Sequence, residues 1–379
     1  MPDRVGGIGA RKMSVRWMPV EHGGPDHLGP LRWDFSTNAN PLVPDALVAA
    51  LASCSRLSYP EPSYTRLRQA LAQHAGVDAE RIAPSAGSSE AIRRLSLAAS
   101  LSGVREVWVP QPGYGDYAAA AQALGLAVRG YDGHTGEGLL EGIGVDGEGD
   151  GGGGGGGTPS LIWVCDPCNP TGLGASPALL TNLRSLLSRQ PDTWLAIDRA
   201  YEALRLAPPR APWPPDLLAC AWQLMSPNKA LGLTGVRAGW VIAPAGSPRL
   251  TMLHALAPSW VLSAEGVCLL QHWVSPETQA WLHAARLTLR DWLDQQHALL
   301  REMGCDVADT DTPFGLVSPP PDWGIERVHA RREALRQRGI KLRDATSLGA
   351  PGRWRLGTLS PQAQADLAQA WAELEGPSP

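Results

Sequence analysis

The chain has 379 residues, 44% of them hydrophobic and 18% charged. That predicts two domains or one large one around a packed core, and it excludes a disordered chain. The net charge of −4 comes without a basic run, which argues against a nucleic-acid partner; no stretch reaches the ~18 apolar residues of a membrane-spanning helix, and the N-terminus lacks the apolar segment of a secretory leader, so a cytoplasmic protein with no membrane partner is expected.

Residues 1–44 are rich in Pro, Gly and Asn and read as an extended arm. A helical pattern follows Pro44 (DALVAALASC), and a second follows Tyr64 (TRLRQALAQHAG) and stops at Gly76, a C-cap residue. SAGSSEAIRRLSLAAS reads as a small-residue turn feeding a helix, and REVWVPQPGYGDYAAAAQALG as strand, loop and helix. Residues 130–158 become a low-complexity Gly/Asp/Glu stretch with seven consecutive glycines from Gly151, expected to be a passive surface loop that cannot pack. Then come the strand SLIWVC leading into DPCNPTG, the helix SPALLTNLRSLLSRQ, and the strands TWLAID, AWQLMS and GVRAGWVIAP. Short apolar strands alternating with helices predict an α/β fold with a mainly parallel sheet. After residue 248 the pattern turns to long helices, Trp281–Met303 and Gly324–Arg338, with short strands near Gly315 and Trp354. The expected division is an arm (1–44), a large domain (45–248) and a smaller α+β domain (249–379).

Six cysteines, Cys54, Cys165, Cys168, Cys220, Cys268 and Cys305, are too sparse for a disulfide framework. Cys165 and Cys168 form a CxxC without the second pair a zinc site needs, and no metal is expected. Lysine is scarce: of 33 basic residues only Lys12, Lys229 and Lys341 are lysines. A lysine in the chain's interior therefore suggests amine chemistry, which arginine cannot perform.

In a parallel α/β sheet, ligands bind beyond the carboxyl ends of the strands. Several polar residues fall at such ends. Gly87-Ser88-Ser89-Glu90 opens a helix, whose free N–H groups suit a phosphate. Tyr114 and Tyr117 follow REVWVP. Asn169-Pro170-Thr171-Gly172 follows LIWVC, Asp198 ends TWLAID with Tyr201 three residues on, and Ser226-Pro227-Asn228-Lys229 follows AWQLM with Arg237 eight residues beyond. Each alone has an ordinary reading as a cap, a turn, a surface ion pair or packing. Their order and spacing together carry the information.

That pattern resembles the fold-type I pyridoxal-phosphate (PLP) enzymes of the class I/II aminotransferase superfamily, from about His22 to Thr358. The resemblance implies a three-layer large domain with a smaller C-terminal domain. It implies that Lys229 forms the imine with PLP and shuttles protons. Asp198 pairs with the pyridinium nitrogen, and Tyr201 and Asn169 bond the phenolic oxygen. Tyr114 stacks on the ring. Gly87, Ser88, Ser89, Ser226 and Arg237 hold the phosphate, and Tyr59 reaches it from the partner subunit of a homodimer. Arg355 clamps the substrate carboxylate. Three positions depart from the usual motifs: Arg199 after Asp198, Asn228 before Lys229, and Ser89 for an acid.

The arm narrows the reaction. His22-Gly23-Gly24 followed by Asp34-Phe35-Ser36-x-Asn38-x-Asn40-Pro41-Leu42 resembles threonine-phosphate decarboxylases of cobalamin biosynthesis, as does Trp260-Val261-Leu262-Ser263 before a helix. The sister group, histidinol-phosphate aminotransferase, is similar at Tyr59-Pro60-Glu61-Pro62, at NPTG and at Arg355-Leu356-Gly357-Thr358. Both groups take small phosphorylated substrates, and His22, Asn38 and Asn40 are candidates for the substrate phosphate. HGG read as an ordinary flexible turn remains open, and so do three functions: decarboxylase, transaminase, and a non-catalytic relative, which would have no need of Lys229.

Overall fold

The structure, a computed structural model, describes residues 22–143 and 159–375. The first 21 residues and the seven-glycine run lie outside them. A seven-stranded sheet forms the centre. From edge to edge it runs Ile82–Ser85, Gly239–Ile242, Ala221–Met225, Trp194–Asp198, Ser160–Cys165, Glu106–Gln111 and Ala127–Asp132. Gly239–Ile242 is antiparallel to both neighbours, and every other pairing is parallel. The strand Ser160–Cys165 is buried at every position, as expected for a central parallel strand covered on both faces. Four tryptophans, Trp163, Trp194, Trp222 and Trp240, are fully buried in this layer, and Trp194 stacks on Trp222. Aromatic volume that phenylalanine usually supplies is supplied here by indoles.

Helices cover both faces. Ser88–Leu101 packs one face through Ile92, Leu95, Ala98 and Ala99, and Pro177–Arg189 packs the other through Leu179, Leu183 and Leu186. In chain order the strands first move outward from Glu106–Gln111 to Ala127–Asp132 and then return on its other side. The crevice at that reversal is where a doubly wound sheet holds ligands.

The C-terminal part has an antiparallel four-stranded sheet in the order Arg343–Asp344, Trp354–Gly357, Phe314–Ser318, Asp306–Val307, flanked by helices. Its long helix is Pro276–Glu302, five residues longer at the start than the periodicity predicts. The reason is a local signal: Ser275 Oγ accepts the Thr278 N–H, and Pro276 occupies the first helical position.

Two further differences from expectation concern loops. The strand Ala127–Asp132 runs through Gly130, and Leu139–Gly142 forms a short helix, so order extends into the glycine-rich stretch. Tyr131 holds it there by donating to Trp163 O at 2.7 Å, and Leu139 is fully buried. The arm from residue 22 is not free. Trp33–Asp34 pairs in parallel with Ile340–Lys341, and Phe35 is buried in the C-terminal core. No helix among the described residues is long and apolar enough to cross a membrane.

Candidate active site

Lys229 sits in the turn after Ala221–Met225, half-buried, with Nζ 4.9 Å from the centroid of the Tyr201 ring. The arm holds this turn in place. Asn40 N–H donates to Lys229 O and Asn40 Nδ2 donates to Ala230 O, both at 2.9 Å. Asn40 Oδ1 accepts the Leu42 N–H, so both polar atoms of this buried side chain are engaged by backbone.

Asp198 ends its strand in the same crevice and is buried. Its Oδ2 accepts from Tyr117 Oη at 2.9 Å and its Oδ1 from Ala200 N–H at 3.0 Å. Burial pushes the Asp198 pKa up, against the positive charge of Lys229 and these two hydrogen bonds. Burial pushes the Lys229 amine down, opposed by Asp198 and reinforced by Arg237. Both shifts move the pair toward its neutral forms, which leaves a larger share of reactive free amine at neutral to mildly alkaline pH. Asp198→Asn removes the charge that holds the amine up. The pH midpoint for reaction of Lys229 with an aldehyde, trapped by borohydride, is expected to fall. An unchanged or higher midpoint would show that the two groups are not coupled.

Tyr201, three residues on, is buried and packs edge-on against Phe314. Its hydroxyl accepts a hydrogen bond from Asn38 Nδ2 at 2.5 Å. Arg355, from the strand Trp354–Gly357, enters from the C-terminal sheet and is buried. Its Nη1 donates to Asn169 Oδ1 at 2.9 Å and its Nη2 to Ser36 O, while its Nε is buried without a partner. Burial lowers its pKa to about 10, so it stays cationic at neutral pH. A buried cation with an unsatisfied donor can receive a carboxylate.

The His22-Gly23-Gly24 turn is seated on this arginine's surroundings. A Cβ at Gly23 would lie 2.0 Å from Ser36 O, the oxygen that Arg355 uses, and 3.0 Å from Arg355 Nη2. Gly24 N–H donates to Ser36 Oγ at 2.9 Å, and Ser36 Oγ donates to Asp34. His22 Nε2 is 3.8 Å from Asp116 Oδ1, and its ring lies 6.0 Å from that of Tyr114. Tyr114 Oη donates to Asp116 Oδ2 at 2.8 Å and lies 3.4 Å from Ser89 Oγ.

At the other end of the crevice Gly87 adopts φ +84°, and a Cβ there would meet Arg237 Nη2 at 2.8 Å. Ser88 starts the helix Ser88–Leu101, and its Oγ is buried without a partner. Ser226 Oγ donates to Asn228 Oδ1 at 2.9 Å and keeps its lone pairs for another donor. A helix N-terminus, an orphaned hydroxyl and a guanidinium pressed against a glycine could together hold a phosphate.

Tyr59 stands apart from this cluster. It is exposed and stacks on Trp260 with ring centroids 4.2 Å apart. Two other contributions were not assigned their parts by the sequence: Tyr117 on Asp198, and Ser36 with Asp34 behind Arg355. Tyr117 was visible only as a tyrosine after a strand, and the bond to Asp198 spans 81 residues.

The family model for aminotransferase class I and II matches residues 33–370. The chain belongs to that family. It is 26% identical over 350 residues to the histidinol-phosphate aminotransferase of Symbiobacterium thermophilum, covering 89% of this chain and 88% of that protein. A shorter match to the histidinol-phosphate aminotransferase of Limosilactobacillus fermentum, 29% identical over 209 residues, takes in 54% of this chain and 55% of that enzyme. The threonine-phosphate decarboxylase of Salmonella typhimurium is 28% identical over 289 residues, 72% of this chain and 71% of that enzyme. The fold is that of the Sinorhizobium meliloti histidinol-phosphate aminotransferase, solved with pyridoxal-5'-phosphate, at a TM-score of 0.72 and 20% identity, covering 89% of each chain.

The cofactor of this family member is PLP, and the residues present fit it: a free amine, a buried carboxylate, and the phosphate cradle with its orphaned Ser88 hydroxyl. Gly87→Ala tests the cradle. A Cβ at this φ is strained by about 1–3 kcal/mol and pushes on Arg237, so PLP is expected to bind roughly tenfold more weakly. Cofactor titration by absorbance measures it, and undiminished affinity would remove Gly87 from the cradle.

Proposed function

We propose that the chain is a PLP-dependent decarboxylase that converts L-threonine O-3-phosphate to (R)-1-amino-2-propanol O-2-phosphate. The observation that carries this reading is the seating of the His22-Gly23-Gly24 turn on Ser36 and Arg355, which makes the arm part of the carboxylate site. The similarity to the threonine-phosphate decarboxylase of Salmonella typhimurium supports it. So does a cavity of about 270 Å³ beside His22, lined by the cations Arg332, Arg336, Lys341 and Arg343. Asp26 takes part of that charge through Arg336 and Lys341, Asp344 and the lining Glu333 take part through Arg332, and Arg343 lies opposite Arg355 in the strand register. The cavity suits the phosphate of a substrate whose carboxylate lies on Arg355.

In this reading Arg355 receives the carboxylate through its Nε and orients it, with Asn169 and Ser36 fixing the guanidinium plane. The bound cofactor supplies the electron sink for the bond that breaks. Lys229 Nζ would hold a proton beside the substrate Cα and deliver it there in place of the carboxylate lost as carbon dioxide. Asp198 holds the ring-nitrogen proton, and Tyr201 and Asn169 donate toward the phenolic oxygen. Ser88, Ser89, Ser226 and Arg237 would hold the cofactor phosphate, and Tyr114 would pack against the cofactor. His22 and Asn38 remain the arm's candidates for substrate contacts. Asn40 instead supports the Lys229 turn. In a cytoplasmic homodimer the exposed Leu57 and the Tyr59–Trp260 stack would meet the second subunit, and Tyr59 would complete the partner's phosphate cradle.

The test is carbon dioxide release from L-threonine O-3-phosphate by the PLP-loaded protein without a 2-oxo acid. Sustained release is expected. No release, with the cofactor absorbance retained, would favour the second reading, a transaminase acting on histidinol phosphate or a related amine. The match of 26% identity over 350 residues supports that alternative, and histidinol phosphate with 2-oxoglutarate would then be assayed.

A further inference from the structure

Tyr117 has no exposed surface and lies on the first turn of the helix Asp116–Ala123. Its ring stacks on Trp163 with centroids 4.9 Å apart and planes 11° apart, and meets Tyr114 edge-on at 5.6 Å. Trp163 is itself fixed in the strand Ser160–Cys165, where its carbonyl accepts from Tyr131 Oη. The phenol is therefore held on both sides, and its hydroxyl points at one carboxylate oxygen, Asp198 Oδ2, at 2.9 Å. The other carboxylate oxygen takes the Ala200 N–H. One donor on each oxygen fixes the carboxylate plane and stabilises the anion in a place where burial favours the acid. A single donor would leave the group free to turn about its terminal torsion, which is broad for aspartate.

We infer that Tyr117 is a positioning residue that acts through Asp198, fixing the orientation and ionised form in which the carboxylate meets the cofactor's ring nitrogen. The inference rests on the reading of Asp198 as that nitrogen's partner. Tyr114, just before this helix, would meet the ring face while Tyr117, three residues on, sets the carboxylate at its edge. The two tyrosines of PGYGDY thus divide one task.

Tyr117→Phe keeps the stack on Trp163 and removes one oxygen. Dissociation constants are measured by absorbance for PLP and for its analogue with carbon in place of the ring nitrogen. The variant is expected to bind PLP on the order of tenfold more weakly, the effect of one hydrogen bond to a charged group. Its affinity for the carbon analogue is expected to stay within about twofold of the unmodified protein's, because that ligand makes no demand on Asp198. Equal losses for both cofactors would make Tyr117 a packing residue, and no loss for either would remove it from the site. If the unmodified protein binds both cofactors equally well, the assignment of Asp198 falls, and the inference with it.

Discussion

Lys229→Ala is expected to eliminate the absorbance of covalently held cofactor and to lower turnover by at least about a thousandfold, since in the proposed reading nucleophile and proton carrier are lost together. The other two lysines cannot stand in. Lys341 is tied to Asp26 and to Gly24 O in the C-terminal part, and Lys12 lies outside the described residues. The loss has a second source. Lys229 is the charge that most opposes the rise in the Asp198 pKa, so its removal drives that buried carboxyl further toward its neutral form. Lys229→Arg separates the two effects. It restores a cation but cannot form an imine, so it is expected to remain inactive while recovering noncovalent PLP affinity. The turn should survive in both variants, because Asn40 grips it through the carbonyls of residues 229 and 230 and not through the side chain. Undiminished turnover by Lys229→Ala would overturn the PLP chemistry altogether.

Arg355→Lys is expected to lower kcat/KM by about a hundredfold, mainly through KM, while the cofactor spectrum stays as it was. The guanidinium serves Asn169 Oδ1 and Ser36 O with its two terminal nitrogens and still presents Nε. An ammonium keeps the charge but is a single point, and it cannot reach both fixed acceptors and also meet a carboxylate along a planar edge. Two acceptors set far apart in the chain would lose their donor. A primary amine without a carboxylate should show little difference between the two proteins. If the carboxylated substrate also shows none, Arg355 does not bind it.

Much of this site could be read before the fold was known. Lys229, Asp198, Tyr201, Asn169 and Arg237 were legible as candidates because their order and spacing after strands resemble the family's motifs, and the structure sets Lys229, Asp198 and Tyr201 close together. Gly87 was legible as a candidate in the same way, and its turn beside Arg237 leaves no room for a side chain. Asn40 was legible as important but not in its part. Its motif places it near the site, yet only the packed arm shows its side chain spent on backbone at Lys229 and Leu42. The long helix beginning at Pro276 could have been found from Ser275-Pro276, where the capping signal is stronger than the apolar period that suggests Trp281.

Local periodicity and side-chain chemistry, both written in the sequence, were enough for the α/β class, the order of the strands' carboxyl-end residues, and the single lysine placed for amine chemistry. Contacts with no local signature were left to tertiary structure. Arg355 reaches Ser36 O across 319 residues, Asn38 reaches Tyr201 across 163, and Tyr117 reaches Asp198 across 81. Such meetings depend on how sheet, arm and C-terminal strands pack, and no short stretch of chain encodes that geometry. The same reason shows His22-Gly23-Gly24 to be more than a free glycine turn: the chain at Gly23 has no Cβ because Ser36 and Arg355 occupy the space a side chain would need.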